Sequence, residues 1–181
     1  MVFLLFLILI ISACSINDEK DIFFIRQNLD KYQAETVPYD DKITITLSAE
    51  KILNGIYEPM KISTIQDTDV YICEAKEKEN SINKDKEIDI IIGLDSHVKS
   101  PSGTMLSHFK LNHDGTFTSG NITHRAFDEK GELFYFGRGS GDHQGKFGQF
   151  ISYTFKKDDL KESKEVTFEI SGLYLLHYRE K

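Results

Sequence analysis

Ile43, Ile45 and Leu47 alternate with Thr44, Thr46 and Ser48. A period of two is that of a strand with one face on a core and the other in water. The alternation recurs along the chain. Residues 68–75 and 87–94 read as strands, and the charged stretch Lys76 to Lys86 between them reads as a solvated loop. Met105–Asn112 and Thr116–Ala126 flank a turn at His113-Asp114-Gly115, and Asp128 to Gly131 turns the chain into Leu133-Phe134-Tyr135-Phe136. Asn54-Gly55 has the residue types of a tight hairpin turn with positive φ. Pro59 assigns the segment after it to a sheet edge, because proline donates no ladder hydrogen bond. Further on, Phe147, Gln149, Ile151, Tyr153 and Phe155 share one face, Val166, Phe168 and Ile170 share another, and Leu173–Tyr178 supplies a further strand.

Before Lys42 the period differs. Ile22, Ile25, Leu29 and Tyr32 recur at helical spacing, which predicts a helix over about 18–34 capped by Asn17 or Asp18. The alternative is an extended segment over Ile22 to Ile25 that joins a sheet. Thr36-Val37-Pro38 ends either one. About eight short strands joined by turns, with no helix between them, imply a mainly antiparallel sheet. The predicted fold is mainly β: an antiparallel β-sandwich with a short N-terminal helix, or a lipocalin-like β-barrel. Residues 42–181 make one β domain, since no linker or repeat divides them.

Val2 to Ile11 are uninterrupted Val, Phe, Leu and Ile, followed by Ser12, Ala13 and Cys14. That run is too short for a membrane-spanning helix, which needs ~20 apolar residues, and fits the apolar region of an export signal. The tetrad Ile11-Ser12-Ala13-Cys14 resembles the lipobox of bacterial lipoprotein precursors: an aliphatic residue, two small residues, then cysteine. The resemblance implies removal of residues 1–13, lipid on the Cys14 thiol, and a tether and helix over 14–41 that holds the domain outside the cytoplasm. One departure is the absence of Lys or Arg before the apolar run. The other reading of the segment is a buried strand or helix that happens to end in cysteine.

Charge narrows the partners. No Lys, Arg, Asp or Glu precedes Asp18, so the whole formal charge of −7 falls on the chain after the leader. An acidic domain lacks the clustered cations that displace counterions from nucleic acid, so the partner expected is a membrane through the N-terminal lipid, with an envelope protein beyond it. Lipid on Cys14 leaves Cys73 without a disulfide partner, and its place in Val70-Tyr71-Ile72-Cys73 reads as a buried thiol.

The segment from Gly137 to Gly148 is the richest in candidate chemistry. Its glycines can turn backbone N–H groups toward an anion, with Arg138, His143 and Lys146 as the ligand-binding candidates. It fits neither a Walker loop nor a dinucleotide fingerprint and reads as a hairpin loop. His108, His113, His124 and His143, with Asp114 and Asp142, raise the question of a metal, but no ligand spacing and no cofactor motif accompanies them. No Gly-x-Ser-x-Gly elbow is present, so no catalytic residue is assigned. Asp158-Asp159 and Asp67-x-Asp69 read as solvated surface. Phe134, Tyr135, Phe136, Phe147, Phe150, Tyr153 and Phe155 either line a pocket or form the inner layers of a sandwich.

Strand count, strand spacing and segments such as Glu165-Val166-Thr167-Phe168-Glu169-Ile170 resemble the immunoglobulin-like β-sandwich ectodomains of Gram-positive envelope proteins, without the Cys and Trp landmarks of antibody domains. That resemblance implies a binding or structural module displayed at the cell surface. A lipocalin-like carrier of a small apolar ligand and an envelope enzyme are the alternatives.

Overall fold

A computed structural model describes residues 20–142 and 147–181. Its elements, in order, are α1 (Ile22–Gln27), β1 (Tyr32–Pro38), β2 (Ile43–Ser48), α2 (Ala49–Leu53), β3 (Met60–Ile65), β4 (Thr68–Glu79) and β5 (Lys86–Ser96). Then come β6 (Ser102–Ser107), β7 (Phe109–Leu111), β8 (Phe117–Ser119), β9 (Thr123–Asp128), β10 (Gly131–Leu133) and β11 (Gly137–Asp142). The chain continues through β12 (Gln149–Lys156), α3 (Lys157–Lys161), β13 (Glu165–Ser171) and β14 (Tyr174–Glu180). The fold is mainly β and antiparallel, and its sheets do not close into a barrel. Among the described residues no helix is long and apolar enough to cross a membrane.

The sandwich forms where two sheets, ordered β10-β9-β13-β2 and β11-β12-β5-β4-β3, bury their apolar faces on one core. Alternation supplies both layers. Ile43, Ile45 and Leu47 of β2 and Val166, Phe168 and Ile170 of β13 meet Ile88, Ile90 and Ile92 of β5 and Ile151, Tyr153 and Phe155 of β12. Each such side chain contributes roughly 1.5–3 kcal/mol by leaving water. Tyr153 and Phe155 pack on Phe168 at 4.9 and 6.0 Å between ring centres, and the Tyr153 hydroxyl donates to the Glu169 carbonyl at 3.1 Å. Helices α2 and α3 insert Ile52 and Leu160 into the same core.

A third sheet, β1-β14-β6, works on both faces. Leu106 and Leu175, directly opposed, turn to the main core, while their neighbours Met105 and Leu176 turn the other way. There Ile22 and Ile25 of α1 join Tyr32 and Tyr178 in a second core. The edge of β6 away from β14 meets side chains where a backbone ladder would otherwise run. Gln149 donates to Leu106 O and accepts from His108 N, both at 3.0 Å, Thr68 Oγ1 accepts from Leu106 N at 2.9 Å, and Asp67 Oδ2 accepts from Thr104 N at 2.8 Å.

Several expectations are corrected. The helix is shorter than 18–34: Asp21 caps it by accepting from Phe23 N and Phe24 N, and it ends at Asn28. Tyr32 then starts β1, which pairs with β14, so residues 32–38 belong to a sheet and not to a tether. Asn54-Gly55 closes α2, with Gly55 at φ +88°, a helix end and not a hairpin turn. The charged stretch 76–86 is not loop throughout: β4 runs to Glu79, residues 80–85 make the turn, and β5 starts at Lys86. Residues 137–142 form an edge strand paired with β12, not a loop. Cys73 is half-buried at a β-bulge that shifts the β4 register between Ile72 and Glu74.

Candidate functional site

Glycines alternate with polar residues along β11, and the pairing with β12 explains both. Gly137, Gly139 and Gly141 lie opposite Thr154, Ser152 and Phe150, whose side chains come within 3.0 Å of where a Cβ would stand. Arg138, Ser140 and Asp142 lie opposite Tyr153, Ile151 and Gln149, on the face that the rest of the sheet buries. At the sheet edge that face is open, so Arg138, Ser140 and Asp142 remain exposed. Charges turned inward on an edge strand block pairing with another chain.

Two histidines reach this seam, one from the bend between β6 and β7 and one from β9. His108, 2 % exposed, places Nε2 3.7 Å from Asp142 Oδ1 and lies tilted against the Phe109 ring at 4.0 Å between ring centres. His124 of β9, 8 % exposed, faces Arg138 and Gly139. Among the described residues, both ring nitrogens of His108 and Nε2 of His124 lack a hydrogen-bond partner. Burial pushes the His108 pKa down to about 4, against the pull of Asp142, and Arg26 adds to the depression. Burial, then Arg138, lowers that of His124. Both imidazoles are neutral at pH 7.

Asp142 is held by Arg26 of α1 through a two-pronged pair at 3.0 and 3.2 Å. The guanidinium also lies over the Phe109, Phe117 and Phe23 rings at 4.5, 4.9 and 5.2 Å. The contact joins residues 116 apart in the chain. Its only local sign is one arginine after the apolar run Ile22-Phe23-Phe24-Ile25.

Of the sequence candidates, Arg138 lies exposed on β11, while Cys14, His143 and Lys146 lie outside the described residues. His113 stands exposed on the β7–β8 turn, apart from His108 and His124. Among the described residues no group of three or more His, Cys, Asp or Glu is placed to hold a metal ion. The aromatic cluster divides by face. Phe136 packs on Phe155 and Tyr153 at 5.2 and 5.5 Å, whereas Phe134 and Tyr135 are 74 % and 90 % exposed.

These two exposed rings flank an open groove of about 390 Å³ where the chain passes from β10 to β11. Among the described residues Asp128, Glu132, Asp159 and Glu162 line it, against one cation, Lys130. Asp128 ties down the turn before β10, accepting from Lys130 N at 2.8 Å, Gly131 N at 3.1 Å and Ser163 Oγ at 2.9 Å. Burial alone would raise its pKa; the hydrogen bonds outweigh that and hold it below the usual carboxylate range. Glu132 is forked by Arg125 at 2.8 and 2.9 Å, which lowers its pKa. Alternation could not distinguish the buried rings of this cluster from the exposed ones, because Phe134-Tyr135-Phe136 is apolar throughout and lies between strands.

Comparison with family models, with curated proteins and with solved structures returned no match.

Proposed function

We propose that the protein is a lipid-anchored envelope lipoprotein whose extracytoplasmic β domain is a binding module, with the groove beside Phe134 and Tyr135 as its binding face. The anchor rests on Ile11-Ser12-Ala13-Cys14 after the apolar run. The observation that carries the binding reading is the pair of adjacent large rings left in water at the rim of a groove. A scattered exposed apolar residue is ordinary; two aromatic neighbours beside a concavity mark a contact surface. The likeness to immunoglobulin-like display modules supports the same reading.

Two measurements test it. Metabolic labelling with an alkynyl palmitate in a bacterial host is expected to mark the wild-type chain and not Cys14→Ser; equal labelling, or none, removes the anchor. A photocrosslinking side chain at position 135 on intact cells is expected to give a discrete higher-mass product. Position 57, where Tyr57 is 76 % exposed away from the groove, serves as control. Identical products from both positions would remove the binding face.

A second reading, an envelope enzyme working at β11, is favoured by the two buried imidazoles with unpartnered nitrogens beside Asp142 and Arg138. Turnover of an ester or phosphoester by wild type, abolished in His124→Gln, would establish it over the binding module.

A further inference from the structure

The chain uses one device twice. Arg26 lies over Phe109 and Phe117 while forking Asp142, and Arg125 lies over Phe127 at 4.6 Å while forking Glu132. In each, the flat face of a guanidinium meets an aromatic ring and its N–H edge meets a carboxylate. Arginine satisfies both at once, which an ammonium cannot do. The groove between β10 and β11 presents the other two parts of the device without the arginine. Phe134 and Tyr135 offer exposed rings, and Asp159 and Glu162 offer carboxylates in the same concavity. Asp159 has no ion-pair partner among the described residues, and Glu162, itself mostly exposed, meets only Lys130 at 3.3 Å. Among the described residues four carboxylates against one lysine give the lining a net negative charge.

We infer that this groove docks an arginine-bearing segment of a partner polypeptide, with a guanidinium seated against Phe134 or Tyr135 and turned to Asp159 or Glu162. The inference rests on the groove being the binding face. Its open shape suits an extended chain lying across it, not an enclosed small molecule. The protein's overall acidity would draw any cationic chain weakly to its surface, whereas the rings and carboxylates together select arginine from lysine.

The test uses fluorescein-labelled octapeptides that alternate glycine with arginine, lysine or glutamate, titrated into the lipid-bearing chain from Cys14 and into the lipid-free chain from residue 15 at about 0.15 M salt, where long-range attraction is largely screened. Fluorescence anisotropy is expected to show the arginine peptide binding roughly tenfold tighter than the lysine peptide. The preference is expected to be lost in Phe134→Ser/Tyr135→Ser and in Asp159→Asn/Glu162→Gln, all surface changes that leave both cores untouched. Equal affinity for arginine and lysine peptides, or arginine binding that survives both double substitutions, overturns the inference. If instead the glutamate peptide binds and Phe134→Ser/Tyr135→Ser abolishes that binding, the groove stands as binding face and the arginine assignment falls. If no peptide's binding depends on Phe134 and Tyr135, both readings fall together.

Discussion

Gln149 completes β6: its amide nitrogen donates to Leu106 O and its amide oxygen accepts from His108 N, each at 3.0 Å, in a site with no exposed surface. One side chain thus supplies the pair of bonds that a neighbouring strand would make. Gln149→Leu is expected to leave a buried carbonyl and a buried N–H unsatisfied and to cost about 2–4 kcal/mol. Urea unfolding followed by far-UV circular dichroism measures it. Gln149→Glu keeps the shape and loses the donor to Leu106, so it is also expected to destabilise, most strongly at neutral pH, where it buries a charge.

Acid is expected to act through His108. Its folded pKa of about 4 lies below the ordinary 6.5 of the unfolded chain. The unfolded state therefore takes up the proton first. The stability linked to this group is fully present above about pH 6.5 and is lost as pH falls toward 4, by at most about 3 kcal/mol. His108→Phe is expected to flatten the dependence of stability on pH over that window by close to one proton. An NMR titration placing the His108 midpoint at 6.5 would contradict the burial argument.

Arg26 and Asp142 fasten α1 to the edge strand β11. Removing either is expected to loosen the helix without reaching the sandwich core. Asp142→Ala and Arg26→Ala are each expected to cost about 1–2 kcal/mol, with a coupling near 1 kcal/mol in the double variant. Hydrogen exchange separates this from a global effect. Amides of residues 22–27 are expected to exchange faster while those of β5 and β12 keep their protection. Arg26→Lys is expected to behave nearly like Arg26→Ala, since a lysine keeps the charge and loses the fork and the ring contact.

Alternation made β2, β12 and β13 legible, because in each one face is buried and the other is not. Gly137–Asp142 was illegible as a strand for the same reason: its alternation is of glycine with polar residues, and only Phe150, Ser152 and Thr154 across the ladder give the glycines a role. The arms of β4 and β5 failed differently. Lys78 binds Asp89 at 2.7 Å and Lys86 binds Glu77 at 2.9 Å across the pair, so opposed charges do there what apolar residues do elsewhere, and a hydropathy pattern reads them as loop. Ile22, Ile25 and Tyr32 do share a core as the helical spacing implied, yet they reach it from a helix and a strand. Of the candidate site, the aromatic run was visible in sequence. Its division into half-buried Phe136 and exposed Phe134 and Tyr135 depends on where β10 ends, which local pattern does not encode.

Strand order carries a consequence for synthesis. β13 lies between β9 and β2, and β14 lies between β1 and β6, so in two sheets the middle strand is translated after both of its neighbours. A ribosome that has released β9 holds two sheets with empty centres, and neither core can close until the chain is nearly finished. Both cores of such a chain close only once β13 and β14 have been made, although the hairpins of β3, β4 and β5 have all their strands much earlier.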